Sequence, residues 1–519
     1  MPDATRGNGA SAVKVMYVRV GHTMKLRRLT WYDPCEPSAL DAMLRAACGV
    51  APSQQYLLLD QTMCAVAVSS SLPSGETYEL SIVGPAPGKE HKKKAIVVID
   101  PISTGAVLAY KISQMGIKVV AVWSEVIPED LKNFVDPRVA IDFAARIEHG
   151  PDGIASTVAQ VRALEDLDVS DVMVGCETGV LLGDMLSEGL GVRTNGTAKS
   201  GLRRNKFYQT EALRTAKLNA CGQKLATTID DVERFLKEKP PAQVFKAVVK
   251  PVEGAGSDGV FICDSPEAVR SAFKSLEGTK NVLGLTNYAV LLQEYLRGDE
   301  YVVDTVSRSG VHKCVAIWKY DKRLFNGSPV VYFGMRLMPV EAEPELRAMV
   351  EYIFNVLEQL GIRNGAIHSE VKFEERGPVL IEANCRLHGG EGTWAPMAEE
   401  CLGYSAVTAM LDAYLDPAAF GALPSMPSGF RAHAKEAKLR SAVSGVLKTI
   451  DQAALKAIRE LPSYRSEMIA VKVGKRIDLT TDAVTACGNV NFVNKDLKQL
   501  EKDYDAFHEI VGRSIFTIE

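Results

Sequence analysis

Residues 365–390 read GAIHSEVKFEERGPVLIEANCRLHGG, and the rest of the chain is best read outward from them. Residues 366–373 alternate, which predicts a strand with Ala366, His368, Glu370 and Lys372 on one face and Ile367, Ser369, Val371 and Phe373 on the other. Residues 379–386 alternate again and place Leu380, Glu382, Asn384 and Arg386 together. The five residues between, EERGP, contain Gly-Pro and predict a hairpin. A loop symmetric about Arg376 sets Glu370 directly opposite Glu382. Facing Cβ atoms in such a pair lie about 4.5–5.5 Å apart, and like charges there repel. A shared cation removes the repulsion, and Asn384 adds an oxygen on the same face. Two Glu and an Asn are hard-oxygen ligands suited to Mg²⁺, which usually also holds substrate phosphates. The competing reading is a solvated strand face with incidental acids, because a one-residue bulge would break the pairing.

The chain has 519 residues, a length that predicts three or four domains. A net charge of −4 gives no drive toward nucleic acid or an anionic membrane. The 10 cysteines are irregularly spaced and form no CxxC pair, which excludes a zinc or disulfide framework. The N-terminal MPDATRGNGASAVK lacks an apolar signal core. No apolar run reaches the ~18 residues that would span a bilayer. These features together predict a reducing, cytoplasmic compartment.

Residues 1–92 predict a small α+β extension with no evident chemistry, ending in the Pro/Gly and charged linker SIVGPAPGKEHKKK. From Ala95 the pattern becomes βαβ: AIVVID, PISTG, a helix, then KVVAVWSE and VSDVMVGCETGV. That rhythm predicts an open parallel α/β domain over 93–200. Ser103, Thr104 and Gly105 fall at one strand's C-terminal end and Glu177 at another, the usual ligand edge of such sheets. For Ser103 a plain helix N-cap is the preferred reading, and Glu177 is a candidate substrate contact. Further on, VFKAVVKPVEGAGSDGVFIC reads as strand, glycine-rich loop, strand. Gly254, Gly256 and Gly259 leave backbone N–H groups able to wrap phosphate oxygens, and Lys250 would aim a point charge at them. No GxxxxGK[ST] is present, so this is not a Walker A loop. Glu300 opens the strand EYVVDTV and Asp304 shares its face; both read equally well as edge-strand charges. KYDKRLFNGSP reads as a mobile basic loop. His388, Gly389, Gly390 and Trp394 lie just past the hairpin and are candidates for a substrate pocket, with Trp394 as an apolar wall. His388 reads equally well as a structural hydrogen-bonder.

The order of RRNKFYQTEAL, VVKPVEGAGSDGV, QEYLRGDEYVVD, HSEVKF and IEANCRLHGG resembles the ATP-grasp superfamily of carboxylate–amine ligases. Within it the chain is most similar to L-amino-acid ligases of the bacilysin and dapdiamide type, through DPISTG, GVRTNG and LPSY…VKVG. The resemblance implies an α/β (α+β) architecture: an ATP-grasp core at 201–430 with a mobile lid at about 210–295, preceded by the open parallel domain and followed by an α+β unit at 431–519. It implies that Lys206 and Lys250 bind ATP phosphates and that Glu253, Gly254, Ala255, Gly256, Ser257 and Gly259 cover them. The family more often has Asp before the first lysine, where this chain has Asn205. Glu294, Tyr295 and Leu296 would hold adenine and Glu300 the ribose. Glu370, Glu382 and Asn384 would bind two Mg²⁺, with Mn²⁺ as an alternative, and Arg386 would steady the reacting acyl group.

The implied reaction is amide formation between a small carboxylate, an amino acid by preference, and an amine, through an acyl-phosphate, with release of ADP and phosphate. It needs positioning and electrostatics rather than an enzyme nucleophile. Alternatives are another ATP-grasp ligase, of carboxylase or nucleotide-pathway type, and a non-catalytic nucleotide-binding module. The partners implied are small molecules, with neither nucleic acid nor membrane, and a homodimer is compatible.

Overall fold

The computed structural model describes residues 12–20, 26–50, 55–83, 92–132, 138–238, 245–254, 258–281 and 284–519. The chain divides between Lys92 and Lys93 into two compact units. The first is a five-stranded sheet with the helix Pro37–Cys48, packed around Met16, Trp31, Leu40, Leu44 and Leu80. Pro at the start of that helix and the left-handed Gly49 after it bound it cleanly.

The second unit starts with four parallel strands in the order Ala145–Glu148, Lys118–Trp123, Lys93–Ile99, Leu167–Val174. Residues 95–99 are fully buried, as expected of a continuous apolar strand covered on both faces. Gly105 lies in the first turn of the following helix, where a Cβ would meet the Gly175 backbone at 2.6 Å. A second, antiparallel sheet runs Gln223–Ala226, Val290–Glu294, Ala247–Pro251, Phe261–Cys263. The helices Ile229–Glu238 and Pro266–Leu276 pack on it through Val232, Phe235, Val269 and Phe273. Ala247 and Val249 face that core, so the alternate residues Val248 and Lys250 face the other way.

The dominant element is an eight-stranded antiparallel sheet. Its order is Gly377–Asn384, Gly365–Glu374, Glu300–Arg308, Val311–Phe325, Ser328–Leu337, His433–Leu439, Gly488–Asn494, Tyr464–Ile469. KYDKRLFNGSP, expected as a loop, is instead the end of a long hairpin: Lys319 and Lys322 lie within a strand, whose pairing shifts register after Asp321 and Arg323 before the Asn326-Gly327 turn. One core joins the helix Thr104–Gln114 of the parallel sheet to Trp318, Trp394 and Val407. A second buries the helix Glu345–Gln359 through Leu346, Met349, Val350, Ile353 and Leu357, which recur at helical spacing, and through Val356 beside them. Among the described residues no helix is long and apolar enough to cross a membrane.

The C-terminal strands join the large sheet at one seam, where Gly334 pairs with Ala437 and Met335 with Glu436. A Cβ on Gly334 would meet Glu436 O at 2.2 Å and the Tyr504 hydroxyl at 2.4 Å. Gly334→Ala is therefore expected to cost about 1–3 kcal/mol through overpacking, measured as a lowered midpoint in thermal or urea unfolding.

Candidate functional site

The hairpin at 365–390 closes differently from its sequence reading. The turn is two residues, with Glu374 opposite Gly377 and Phe373 opposite Pro378. That register alone would set Glu370 opposite Ile381. A bulge shifts the pairing between Glu370 and Val371, so that Glu370 faces Glu382 and His368 faces Asn384. The bulge, which the sequence reading treats as the threat to the pairing, creates it. It also moves Leu380 to the opposite face, into the hydrophobic core, and turns Ile381 to the cavity.

The two facing carboxylates are held in place by cations. Lys206 Nζ lies 2.9 Å from Glu382 Oε2 and also donates to Gly254 O at 3.2 Å. Burial raises the Glu382 carboxyl, but Lys206 and Lys250 outweigh it and bring the pKa to about 2. Burial and Glu382 likewise push Glu370 up, while His368 and Lys322 pull it below its usual value. Burial depresses the Lys250 ammonium against the attraction of Glu382. Asn384 uses its amide N–H groups on Glu382 Oε1 (3.2 Å) and His368 O (3.4 Å), which leaves its oxygen for a cation. Two half-buried, ionised Glu and an Asn oxygen form a donor set that fits Mg²⁺. Asn205 departs from Asp without loss, because its side chain caps the Lys206–Thr215 helix by accepting from Tyr208 N at 3.1 Å.

Most of the expected site residues line one cavity of about 840 Å³, although Asn384 is not part of its lining. Lys206, Lys250, Gly254, Glu294, Tyr295, Leu296 and Glu300 line it together with Glu370, Glu382, Arg386, His388, Gly389 and Gly390. Gly259 packs at positive φ against Leu276 and Pro251, while Ala255, Gly256 and Ser257 lie outside the described residues. Glu300 Oε1 accepts from Lys322 Nζ at 2.5 Å.

Two expected substrate contacts sit behind the cavity instead. Trp394 is fully buried, stacks on His388 with ring centroids 5.3 Å apart, and donates to Gly389 O at 2.7 Å, so it supports the loop and is no pocket wall. Glu177 is buried between two arginines, 3.2 Å from Arg386 Nε and 3.2 Å from Arg204 Nη1. Its place is to orient Arg386. Arg204 reaches on toward Glu253, 3.9 Å away. The strand-end turn is also more than a cap. Ser103 makes no side-chain capping bond; its Oγ accepts from Glu391 N at 3.1 Å, and Thr104 Oγ1 donates to His388 O at 2.6 Å.

A model of the ATP-grasp domain matches residues 243–394. Over 332 residues the chain is 32% identical to dapdiamide A synthase of Enterobacter agglomerans, covering 64% of this chain and 75% of that protein. The chain belongs to the ATP-grasp family of ATP-dependent carboxylate–amine ligases. This ATP-grasp ligase is also similar in fold to the crystal structure of L-amino acid ligase from Bacillus licheniformis, with TM-score 0.64 and 16% identity over 83% of this chain and 99% of that one. Phosphoribosylglycinamide synthetase from Anaerococcus prevotii follows at TM-score 0.56 and 12% identity, covering 82% of this chain and 100% of that one.

Asp304, expected as an edge-strand charge, is a buried hub of the ligase. It accepts from Trp318 Nε1 at 2.9 Å and bonds His368 Nδ1 at 2.9 Å and His388 Nδ1 at 3.2 Å. The three could be taken for a metal site, but each histidine Nδ1 is already bonded to an Asp304 oxygen. The signal in the sequence was the HSE spacing, which puts His368 on the face of Glu370. Burial opposes the charge on His368, but its bonds to Asp304 and Glu370 outweigh it and raise the pKa. Burial and His368 lower that of His388.

A base raised by folding adds stability that is fully present below its unfolded pKa, near 6.5, and is lost as pH rises through the folded value. Asp304 pulls the His388 pKa up as well, against burial and His368, so its removal acts with the same sign at both rings. Asp304→Asn is expected to cost about 3–5 kcal/mol at pH 6, as for a broken buried pair, and less at pH 9. Urea unfolding of both proteins at the two pH values checks the sign.

Proposed function

We propose that this ligase is a cytoplasmic enzyme that joins a small carboxylate, an amino acid by preference, to an amine through an acyl-phosphate, using ATP. The observation that carries the reading is the convergence of Glu370, Glu382, Lys206, Lys250 and Arg386 on one cavity. In this reading residues 93–200, 201–430 and 431–519 are successive domains, and about 210–295 closes over the nucleotide. A homodimer is compatible with it.

Lys206 and Lys250 hold ATP phosphates, with Lys206 exchanging Glu382 for them. Glu253, Gly254, Ala255, Gly256, Ser257 and Gly259 cover the triphosphate. Glu294, Tyr295 and Leu296 take adenine and Glu300 the ribose. Glu370, Glu382 and Asn384 hold Mg²⁺, in two ions by resemblance to the family, with Mn²⁺ able to use the same oxygens. When bound, the metal neutralises charge on the phosphoryl oxygens. The substrate carboxylate attacks the γ-phosphorus, and ADP leaves with the electron pair of the broken P–O bond. The amine attacks the acyl carbon, loses a proton, and inorganic phosphate departs. Arg386, oriented by Glu177, faces the charge on the tetrahedral oxygen, where a fixed cation lowers the barrier most.

The test is ADP release with Mg²⁺-ATP across a matrix of amino acids, with mass spectrometry of the products. ADP, phosphate and a product one water lighter than the two substrates together are expected. AMP and pyrophosphate would contradict the reading. With an active pair in hand, Arg386→Met is expected to lower kcat by about a hundred- to a thousandfold. Glu382→Gln is expected to weaken Mg²⁺ binding, read as a raised Mg²⁺ requirement for ADP formation.

A further inference from the structure

In the ligase reading only the lysine of the RRNK segment, residues 203–206, has a task. The fold sends all three cations of that segment to acids. Arg203 pairs with Asp184, Arg204 Nη1 lies 3.2 Å from Glu177 Oε1, and Lys206 Nζ lies 2.9 Å from Glu382 Oε2. Arg203 also donates to Asn195 O, Gly196 O and Leu360 O, so its guanidinium is spent on its surroundings. Arg204 is different. Its side chain is only 6% exposed, and its second terminal nitrogen faces an acid it does not fully reach. Arg204 Nη2 is 3.9 Å from Glu253 Oε2.

Four charges of alternating sign therefore form a chain: Glu253, Arg204, Glu177 and Arg386, the last two 3.2 Å apart. Each comes from a different element. Glu253 follows the strand Ala247–Pro251, Arg204 ends the helix Ser200–Arg204, Glu177 opens the turn after the strand Leu167–Val174, and Arg386 follows the hairpin. Burial opposes the charge on Arg386, and Glu177 leads the groups that sustain it. A planar guanidinium can hold two carboxylates at once, whereas an ammonium is a point charge. The outer end of the chain is tied to the phosphate side. Val252 O accepts from Lys206 N at 3.3 Å, Gly254 O from Lys206 Nζ at 3.2 Å, and Glu253 O from Asn281 Nδ2 at 2.8 Å. The lysine that exchanges Glu382 for phosphate thus holds both neighbours of Glu253.

We propose that Arg204 is a positioning residue that couples triphosphate occupancy, relayed by Lys206, Gly254 and Glu253, to the orientation of Arg386 through Glu177. The proposal rests on the ligase reading. When Lys206 turns to phosphate, its hold on Gly254 changes, and the 3.9 Å separation of Glu253 from Arg204 closes to a full ion pair. Arg204 is then fixed from both sides, and Glu177 keeps the Arg386 guanidinium where the tetrahedral oxygen forms. Without Glu253, or without the fork of Arg204, Arg386 is aligned less often while the acyl-phosphate waits. The amine then attacks more slowly. Water takes the acyl carbon instead and returns the carboxylate and inorganic phosphate, the side reaction that an ordered site prevents. ADP release then outruns amide formation.

The test counts both products. Full-length enzyme is given Mg²⁺-ATP and the most active pair of the screen, and ADP and amide are measured together; wild type sets the baseline ratio. Glu253→Gln removes only a partly exposed charge and leaves the buried pair of Arg204 and Glu177 intact. It is expected to raise ADP per amide about two- to tenfold, the scale of coupling within one charge network. Arg204→Lys keeps a charge beside Glu177 but cannot span both acids, so it is expected to raise the ratio to a similar extent. The double variant is expected to be no worse than the poorer single one. A merely structural role would lower ADP and amide alike. A ratio unchanged from wild type in both single variants overturns the proposal while the ligase reading stands, and so do additive effects in the double variant. If no pair releases ADP with wild type, the ligase reading falls first.

Discussion

Two carboxylates facing each other across a strand pair are the constraint on which the rest of the molecule depends. Glu370 and Glu382 would repel at that spacing, and a buried sheet would ordinarily exclude them. Glu382 remains ionised because Lys206 and Lys250 come at it from two other elements, one at a helix start and one on a strand of the neighbouring sheet, and Glu370 because His368 and Lys322 of the large sheet pull against burial. The arrangement is a balance awaiting exchange. The lysines neutralise the acids now, and an incoming triphosphate with its cation would satisfy both sets at once.

The large sheet then acts as a continuous floor. One face carries Glu382, Glu370, Val302, Tyr320, Met335 and Glu436 in successive strands, so groups far apart in sequence come to one side of the sheet. Above it the 388–393 segment is tied at both ends. Ser103 and Thr104 bind it from the parallel sheet, and Glu436, Asn489 and Asn491 bind Thr393 from the C-terminal strands. Glu391 sits at φ 57° within that clamp, a conformation that needs such support. Asp304 completes the support from below by fixing two histidines against Trp318 and Trp394.

Much of this was legible in the sequence where local pattern is strong. Alternation gave the strands of the hairpin, the 3.6-residue period gave the helix Glu345–Gln359, and the apolar run 95–99 gave a parallel strand. What local pattern cannot carry is register and burial. The bulge at Ile381 has no sequence marker, yet it decides which residues face the cavity. Asp304, Glu177 and Trp394 are ordinary residues in their own segments; only tertiary packing turns them into a hub, an arginine partner and a buried support. The strand His433–Leu439 has its face set by pairing with Gly334 and Met335 from about a hundred residues earlier, which no local pattern shows.

The central claim is that the paired carboxylates serve phosphoryl transfer to a substrate carboxylate. Its most direct measurement uses a carboxylate substrate labelled with ¹⁸O in both oxygens, turned over with ATP and an amine, with mass spectrometry of the phosphate released. The account predicts one ¹⁸O in each phosphate formed and the other in the amide. Phosphate free of label, or label carried off in AMP, would contradict it.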